Sequence, residues 1–502
     1  MTGAQFISHR LVLVPLTPIH IGGGEEARLL PQDYRLRAGH AERIDLRAVL
    51  ARLSERERAA WIADMARAGG DSVRNILRSL QEKAGPSEII ERIPISENSA
   101  RAVDLAGEGQ GRRNQIDAFF RAGGRPCLPG SSLKGALRTA WAAEMARRRG
   151  TPQLPPLQDW RHMRSNERAR VAADTVAKLL DPPRERDPKP GRRAQDADPF
   201  RDVAVADAAL PQGATRIDPV ATWKRGQPAA GGGPARFGFG TVGQMHRERM
   251  RAVADGGAPP VVGIVLGLRD GAMAKEAAAK DRGKRPQPDR VPDGLSALLA
   301  ALEDHHAPLW QREVEETFFA GAAGDRLRHA LALFSSLRRG GDAPQAALVR
   351  IGWAAHAEAK SLAGLRRIER PQAKGAGRFA AEGSTRHVVN LAGHPLPFGW
   401  ALLVRAEAWE AQAPRAWLPP PAARPTPLAG GGTRGAAPAD PRVQSALGQQ
   451  LRFRKGQKVT IGGEQATLLA DVTAAMQPGD EVLVSFDGDI DKVKVGRIQG
   501  PA

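Results

Sequence analysis

Apolar residues run almost without a break through Leu11-Val12-Leu13-Val14, inside a stretch from Phe6 to Val14 that stops at Pro15. A run of this kind predicts a strand buried on both faces. Tyr34 to Leu36 and Glu42 to Asp45 flank Ala38-Gly39 and predict a hairpin, after which Leu46 to Leu53 takes up helical periodicity. Arg56 to Ala84 is helical in composition, and Ile89 to Ile95 reads as a strand. Leu133, Leu137, Trp141 and Met145 recur every four residues, which predicts a helix with one buried stripe. Pro126 and Pro129 disfavour helix before it, Gly130 permits a tight turn, and Ser131 or Ser132 can cap the first turn. Further on the pattern predicts a helix from Asn166 to Leu180, a strand at Val203 to Asp207 and a buried strand at Val261 to Leu268. Helices follow at Leu295 to Leu302 and Asp325 to Arg338. Strands mixed with helices, without regular βαβ repetition, indicate an α+β fold.

Polar and breaker-rich stretches divide the chain. Arg147 to Phe200 is dense in Arg, Asp and Pro and reads as a surface insertion, while Ala229 to Gly240 is too Gly-rich for a packed core. Arg269 to Asp293 is a charged excursion. Pro414 to Arg442 holds eight prolines and four glycines and reads as a linker. Beyond it Gln457 to Gly462, Gln465 to Val472, Asp480 to Phe486 and Ile490 to Ile498 predict four short strands, a small β-barrel-like module of SH3-like or OB-like type. The expected organisation is a domain over 1–268 with an insertion near 147–200 and a Gly-rich loop at 224–240, a second α+β part at 290–413, a linker at 414–442 and the β-module at 450–500.

The 502 residues suffice for two or three domains. Against 55 acidic residues stand 74 Lys and Arg, for a formal charge of +19, which favours a polyanion: nucleic acid first, an anionic membrane second. A GC-rich coding sequence also raises Arg content, so charge alone decides little. Cys127 is the sole cysteine, which excludes an internal disulfide and a cysteine-based zinc site and fits a reducing cytoplasm. No leader pattern and no membrane-length apolar run is present, so the expectation is a soluble cytoplasmic protein without a membrane partner.

Lys134 and Arg138 share a spacing of four and project beside a helix N-terminus whose N–H groups lack helical partners, a combination that suits a phosphate. Lys374-Gly375-Ala376-Gly377-Arg378-Phe379 sets two cations and a ring beside two glycines that allow close backbone approach. Gly22-Gly23-Gly24-Glu25-Glu26-Ala27 fits the dinucleotide pattern G-x-G-x-x-A, yet its two glutamates oppose a pyrophosphate and Pro31 truncates the helix it needs. Gly130 to Gly135 is too short for a phosphate loop. Asp304-His305-His306 cannot readily share one ion from adjacent helical positions and reads as solvated surface, so neither metal nor cofactor is expected.

Two segments carry a family resemblance. Pro129-Gly130-Ser131-Ser132-Leu133-Lys134-Gly135-Ala136-Leu137-Arg138-Thr139-Ala140 resembles the signature of the RAMP superfamily, the RNA-binding proteins of CRISPR effector complexes. Leu16-Thr17-Pro18-Ile19-His20-Ile21-Gly22-Gly23-Gly24, about a hundred residues upstream, is similar to the opening of those proteins. Asp33-Tyr34 with Ile44-Asp45 is similar to the fifth-named subunit family of type III-A Csm complexes, and Val203 to Asp207 resembles the family's V-x-D element. Arg350-Ile351-Gly352-Trp353 is similar to the late Gly-containing strand-turn, although Ala354-Ala355-His356 stands where relatives carry further glycines.

Over roughly residues 6 to 410 the resemblance implies a ferredoxin-like, RRM-related core expanded by insertions, and a hairpin leaning on RNA near Lys224 and Arg225. It implies a non-catalytic subunit that binds crRNA at its 3′ end, next to the repeating RAMP backbone subunit and other Csm subunits. It also implies a part in guide maturation with cellular nucleases. The RNA-binding candidates are His20, Gly22, Gly23, Gly24, Ser131, Ser132, Lys134, Arg138, Lys224, Arg225, Lys374 and Arg378. Related RAMP nucleases use an N-terminal histidine, so the alternatives are a metal-independent endoribonuclease acting through His20 or another RAMP backbone subunit. No second proton-transfer group for His20 can be placed from the sequence.

Overall fold

A computed structural model describes residues 6–24, 27–69, 71–105, 115–180, 198–225, 237–270, 276, 288–339, 343–369 and 379–413, and beyond these the strands lying within 451–501. The chain divides into two compact units, Met1–Pro420 and Pro421–Ala502. The linker expected at 414–442 lies outside the described residues, as do most of the Gly-rich loop and the whole 374–378 segment.

The first unit is a mixed α/β assembly built around the strand Phe6–Pro15, which lies at the centre of a five-stranded sheet. In order the sheet runs Ala346–Arg350, Trp400–Arg405, Phe6–Pro15, Val262–Arg269 and Val203–Val205, every neighbour antiparallel. Alternate side chains of the central strands enter two different cores. Leu11, Leu13, Ala347, Val349, Ala401 and Leu403 pack with Leu133, Leu137, Leu298 and Leu302 of two helices, Gly130–Arg149 and Gly294–Trp310. Val14, Leu348, Trp400, Leu402 and Val404 face the opposite way, against Trp310, Phe319 and Phe334. Two covered faces explain why the first strand has no polar alternation. The strand expected to be buried over Val261 to Leu268 spans Val262–Arg269 and is half-buried: Val262, Ile264, Leu266 and Leu268 face the first core, whereas Gly263 and Val265 are exposed.

Thr215–Arg225 and Phe237–Met250 pair as long antiparallel strands inside a six-stranded sheet, and of the Gly-rich run Ala229 to Gly240 only residues 237–240 are described, at the start of the second strand. Tyr34–Arg37 and His40–Ile44 form the expected hairpin, with Ala38 at φ 47° and Gly39 at φ 75°, the left-handed pair its two-residue turn requires. Part of the expected surface insertion reaches the interior, since Trp160, Leu179, Leu180 and Phe200 are buried.

The helix Gly130–Arg149 buries Leu133, Leu137, Trp141 and Met145, as their spacing predicts. Its start differs from expectation. Pro129 is the N-cap, and the serines lie inside the helix. The capping acceptor comes from Asp207, whose carboxylate takes the Gly130 N–H at 2.7 Å. A Cβ on Gly130 would stand 2.1 Å from the Val205 carbonyl oxygen, so a glycine is needed for the strand to approach this closely.

In the second unit the strands Asp489–Lys494, Glu481–Phe486, Glu464–Leu468, Lys458–Ile461 and Ile498–Pro501 make one antiparallel sheet in that order. Leu451–Phe453 and Val472–Thr473 pair separately.

Candidate nucleic-acid interface

Three segments distant in sequence meet at a cleft of about 640 Å³. They are the His20-Ile21-Gly22 stretch, the first turns of the helix Gly130–Arg149, and the turn Arg350 to Trp353. Backbone hydrogen bonds fix the first of these from both sides. Met250 N–H donates to the Ile19 carbonyl at 2.7 Å, Phe120 N–H to that of Ile21 at 2.6 Å, and Trp353 N–H to that of His20 at 2.8 Å. Gly352, at φ 83°, makes the last contact possible, because a Cβ there would lie 2.5 Å from the His20 carbonyl oxygen. The late glycine turn therefore reaches the cleft despite the lost glycines after it.

His20 is fully buried, its ring edge-on to both Phe119 and Trp353. Its Nδ1 lies 2.6 Å from the Glu248 carbonyl. Burial, followed by the positive field of Arg247, lowers its pKa to about 4. Glu248 is itself fully buried and accepts from both terminal nitrogens of Arg121, from Phe119 N–H and from Thr215 Oγ1, which anchors this floor to the second sheet.

The wall contributed by the helix is small and polar: Ser131, Gly135 and Thr139 repeat every four residues, with Ser132 beside them. Charge comes from elsewhere. Arg28, Arg247, Arg350 and Lys360 line the cleft against the single carboxylate Asp117 among the described lining residues. Asp117 pairs with Arg28 at 2.9 Å and Arg247 at 2.8 Å. The Arg247 guanidinium also lies 3.6 Å from the centre of the Trp353 ring, a cation–π contact, and His387 stacks on that ring at 4.9 Å. Arg350 is held from behind by Glu313 at 2.6 Å and by the Phe398 carbonyl at 3.1 Å. Cations with an aromatic plane and small side chains make a surface suited to a phosphodiester backbone.

Of the sequence candidates, His20, Gly22, Gly24, Ser131 and Ser132 meet at this cleft. Gly23 stands beside it against Ala27 and Phe120. Lys134 and Arg138 do not line it: they sit one helical position off the Ser131-Gly135-Thr139 stripe, and Arg138 forms a 2.7 Å ion pair with Asp198. Lys224 is exposed on the long hairpin, and the backbone of Arg225 pairs with Phe237. Lys374 and Arg378 lie outside the described residues. Sequence reasoning missed Arg28, Asp117, Arg247 and Lys360. The one local signal was His246-Arg247-Glu248-Arg249, four ionisable residues in succession, which on a strand puts polar groups on both faces, the buried one included.

Of His305 and His306, expected on a solvated surface, His306 is fully buried with its ring edge-on to Trp400, and His305 is partly buried. Among the described residues no group of three or more His, Cys, Asp or Glu could hold a metal ion, and no helix is long and apolar enough to cross a membrane.

With this geometry in place, comparison with known proteins finds a similarity over the region that builds most of the cleft. Residues 12–210 match the family model of the RAMP superfamily. No curated protein matches the chain. Among solved structures, a chain of a cryo-EM structure of a Csm-crRNA-target RNA ternary complex of a type III-A CRISPR-Cas system is similar at 18% identity and TM-score 0.48, covering 79% of this chain and 100% of that one. The crystal structure of T. onnurineus Csm5 is similar at 18% identity and TM-score 0.45, covering 78% of this chain and 99% of that one.

Proposed function

We propose that this chain is a non-catalytic RNA-binding subunit of a type III-A CRISPR effector complex, and that its cleft holds the backbone of the guide RNA. The observation that carries this reading is the convergence of the two RAMP-like motifs and the late glycine turn on one cleft, where Arg28, Arg247, Arg350 and Lys360 outnumber Asp117. The family match over residues 12–210 supports it. The same reading proposes a ferredoxin-like core within the first unit, a position at the 3′ end of the guide beside the repeating backbone subunit, and recruitment of cellular nucleases for guide maturation. For the second unit it proposes RNA as ligand, since Arg452, Arg454, Lys455 and Lys458 cluster in sequence there.

The state of His20 supports a non-catalytic role. A base whose pKa is held near 4 is a weak proton acceptor at neutral pH, and Nδ1 is engaged by the Glu248 carbonyl. The deciding experiment incubates the purified chain with CRISPR-repeat RNA in EDTA and titrates the same RNA by fluorescence anisotropy. Binding without cleavage is expected. Specific cleavage that disappears in His20→Ala would establish the endoribonuclease instead.

A further inference from the structure

Three polar atoms belonging to the cleft residues are buried without a hydrogen-bond partner among the described residues, Nε2 of His20, Nε of Arg247 and Nη2 of Arg350, and of these only the histidine nitrogen can accept. The state of the histidine is settled by its neighbour. A backbone carbonyl can only accept, so the 2.6 Å contact to Glu248 places the ring proton on Nδ1 and leaves the lone pair on Nε2. A buried acceptor left unsatisfied costs the fold about as much as a lost hydrogen bond, so its presence at a binding cleft points to a ligand donor. The atom faces Gly22, itself a residue of the cleft wall. A Cβ on Gly22 would stand only 3.2 Å from Nε2, and the glycine leaves that space clear.

The chemistry of the donor is constrained by the rest of the cleft. Phosphate oxygens accept and do not donate at neutral pH, so they match the cations and Arg350 Nη2 but cannot satisfy His20. Along a nucleic-acid backbone the one hydrogen-bond donor is the ribose 2′-hydroxyl, which DNA lacks. We infer that His20 Nε2 accepts a hydrogen bond from a ribose 2′-hydroxyl seated over Gly22, which makes the cleft selective for RNA over DNA. This rests on the reading of the cleft as a backbone-binding site. His20 is then a specificity-determining residue that moves no proton.

The test measures affinities of the full chain for one single-stranded sequence made as RNA, as DNA and as 2′-O-methyl RNA, which keeps the oxygen and loses the donor. RNA should bind roughly three- to tenfold more tightly than either analogue, the worth of one hydrogen bond. Gly22→Ala keeps His20 in place but covers its Nε2, and should bring RNA down to the level of the analogues. His20→Phe should do the same, with thermal unfolding recorded alongside. If His20→Phe fails to fold, Gly22→Ala decides the matter. Equal binding of all three oligonucleotides by the natural chain, or an undiminished preference in Gly22→Ala, overturns the inference while leaving RNA binding intact. A preference over DNA that survives 2′-O-methylation takes the donor away from the 2′-hydroxyl and also overturns it. Binding to none of the three overturns both this inference and the proposed function.

Discussion

The Asp207 carboxylate accepts the backbone N–H of Gly130 at 2.7 Å, so the helix that walls the cleft is capped by a residue 77 positions later in the chain. The cap joins the strand-to-helix turn of the glycine-serine motif to the end of the V-x-D element, and the close approach of Val205 to Gly130 depends on the same contact region. Asp207→Ala should cost about 1 kcal/mol, the usual worth of a lost N-cap. Gly130→Ala should cost more, about 1–3 kcal/mol, because its Cβ would overlap the Val205 carbonyl oxygen at 2.1 Å. Urea unfolding of both variants checks the order; an Asp207→Ala variant more damaging than Gly130→Ala contradicts it.

Glu313 is buried between two cations, bonding Arg350 at 2.6 Å and Arg386 at 2.7 Å, with Trp400 Nε1 donating at 3.3 Å. Burial alone would raise its pKa, but Arg350 and Arg386 hold it down to about 2. Replacement by Gln leaves the buried Arg350 without its carboxylate and Arg386 with Glu358 alone, and should cost about 3–5 kcal/mol. Since the folded pKa is depressed, the carboxylate's contribution is present above the unfolded value near 4.5 and is lost as pH falls through about 2. Glu313→Gln should therefore be less stable than the natural chain at pH 7 by more than at pH 3, measured by chemical denaturation.

Burial lowers the pKa of His20 and of His305 to about 4, that of His356 to about 2 and that of His306 well below 6.5. These rings fold neutral, so the unfolded chain binds more protons once pH drops below about 6.5, and stability rises with pH between about 4 and 6.5. Neither ring nitrogen of His306 has a hydrogen-bond partner among the described residues. His306→Leu should flatten this pH dependence and leave stability at pH 7 nearly unchanged. Melting temperatures from pH 4.5 to 7.5 measure the slope, and a variant with the natural slope would show that His306 does not contribute.

Each phosphate contact made by a lysine should add about 0.7 to the salt slope of single-strand binding. Lys360 lines the cleft and is exposed, so Lys360→Ala should lower that slope by about 0.7 with little change in stability. Lys134→Ala with Arg138→Ala should lower it by less, because neither lines the cleft and Arg138 is paired with Asp198. Anisotropy titrations at several salt concentrations separate the two. A larger loss in the Lys134/Arg138 pair would move the RNA path onto the outer face of the helix.

The sequence by itself determined the elements whose cause is local. The uninterrupted Leu11 to Val14 run specified a strand with two covered faces, the four-residue stripe from Leu133 to Met145 specified the helix, and Ala38-Gly39 specified a hairpin turn. The two motifs also placed half of the cleft, because glycines and serines of a close-packed turn keep their spacing in the chain. Tertiary structure decided the rest. Which cations face the cleft depends on registers between strands far apart in sequence, such as the pairing of His246 with Ile116 and Arg247 with Asp117 that brings the carboxylate to its arginine. The cap of the helix passed from the neighbouring serines to Asp207 for the same reason: an acceptor delivered across the fold outcompeted a local side chain. The tautomer of His20 was likewise invisible in the sequence, since it is set by a carbonyl 228 positions away.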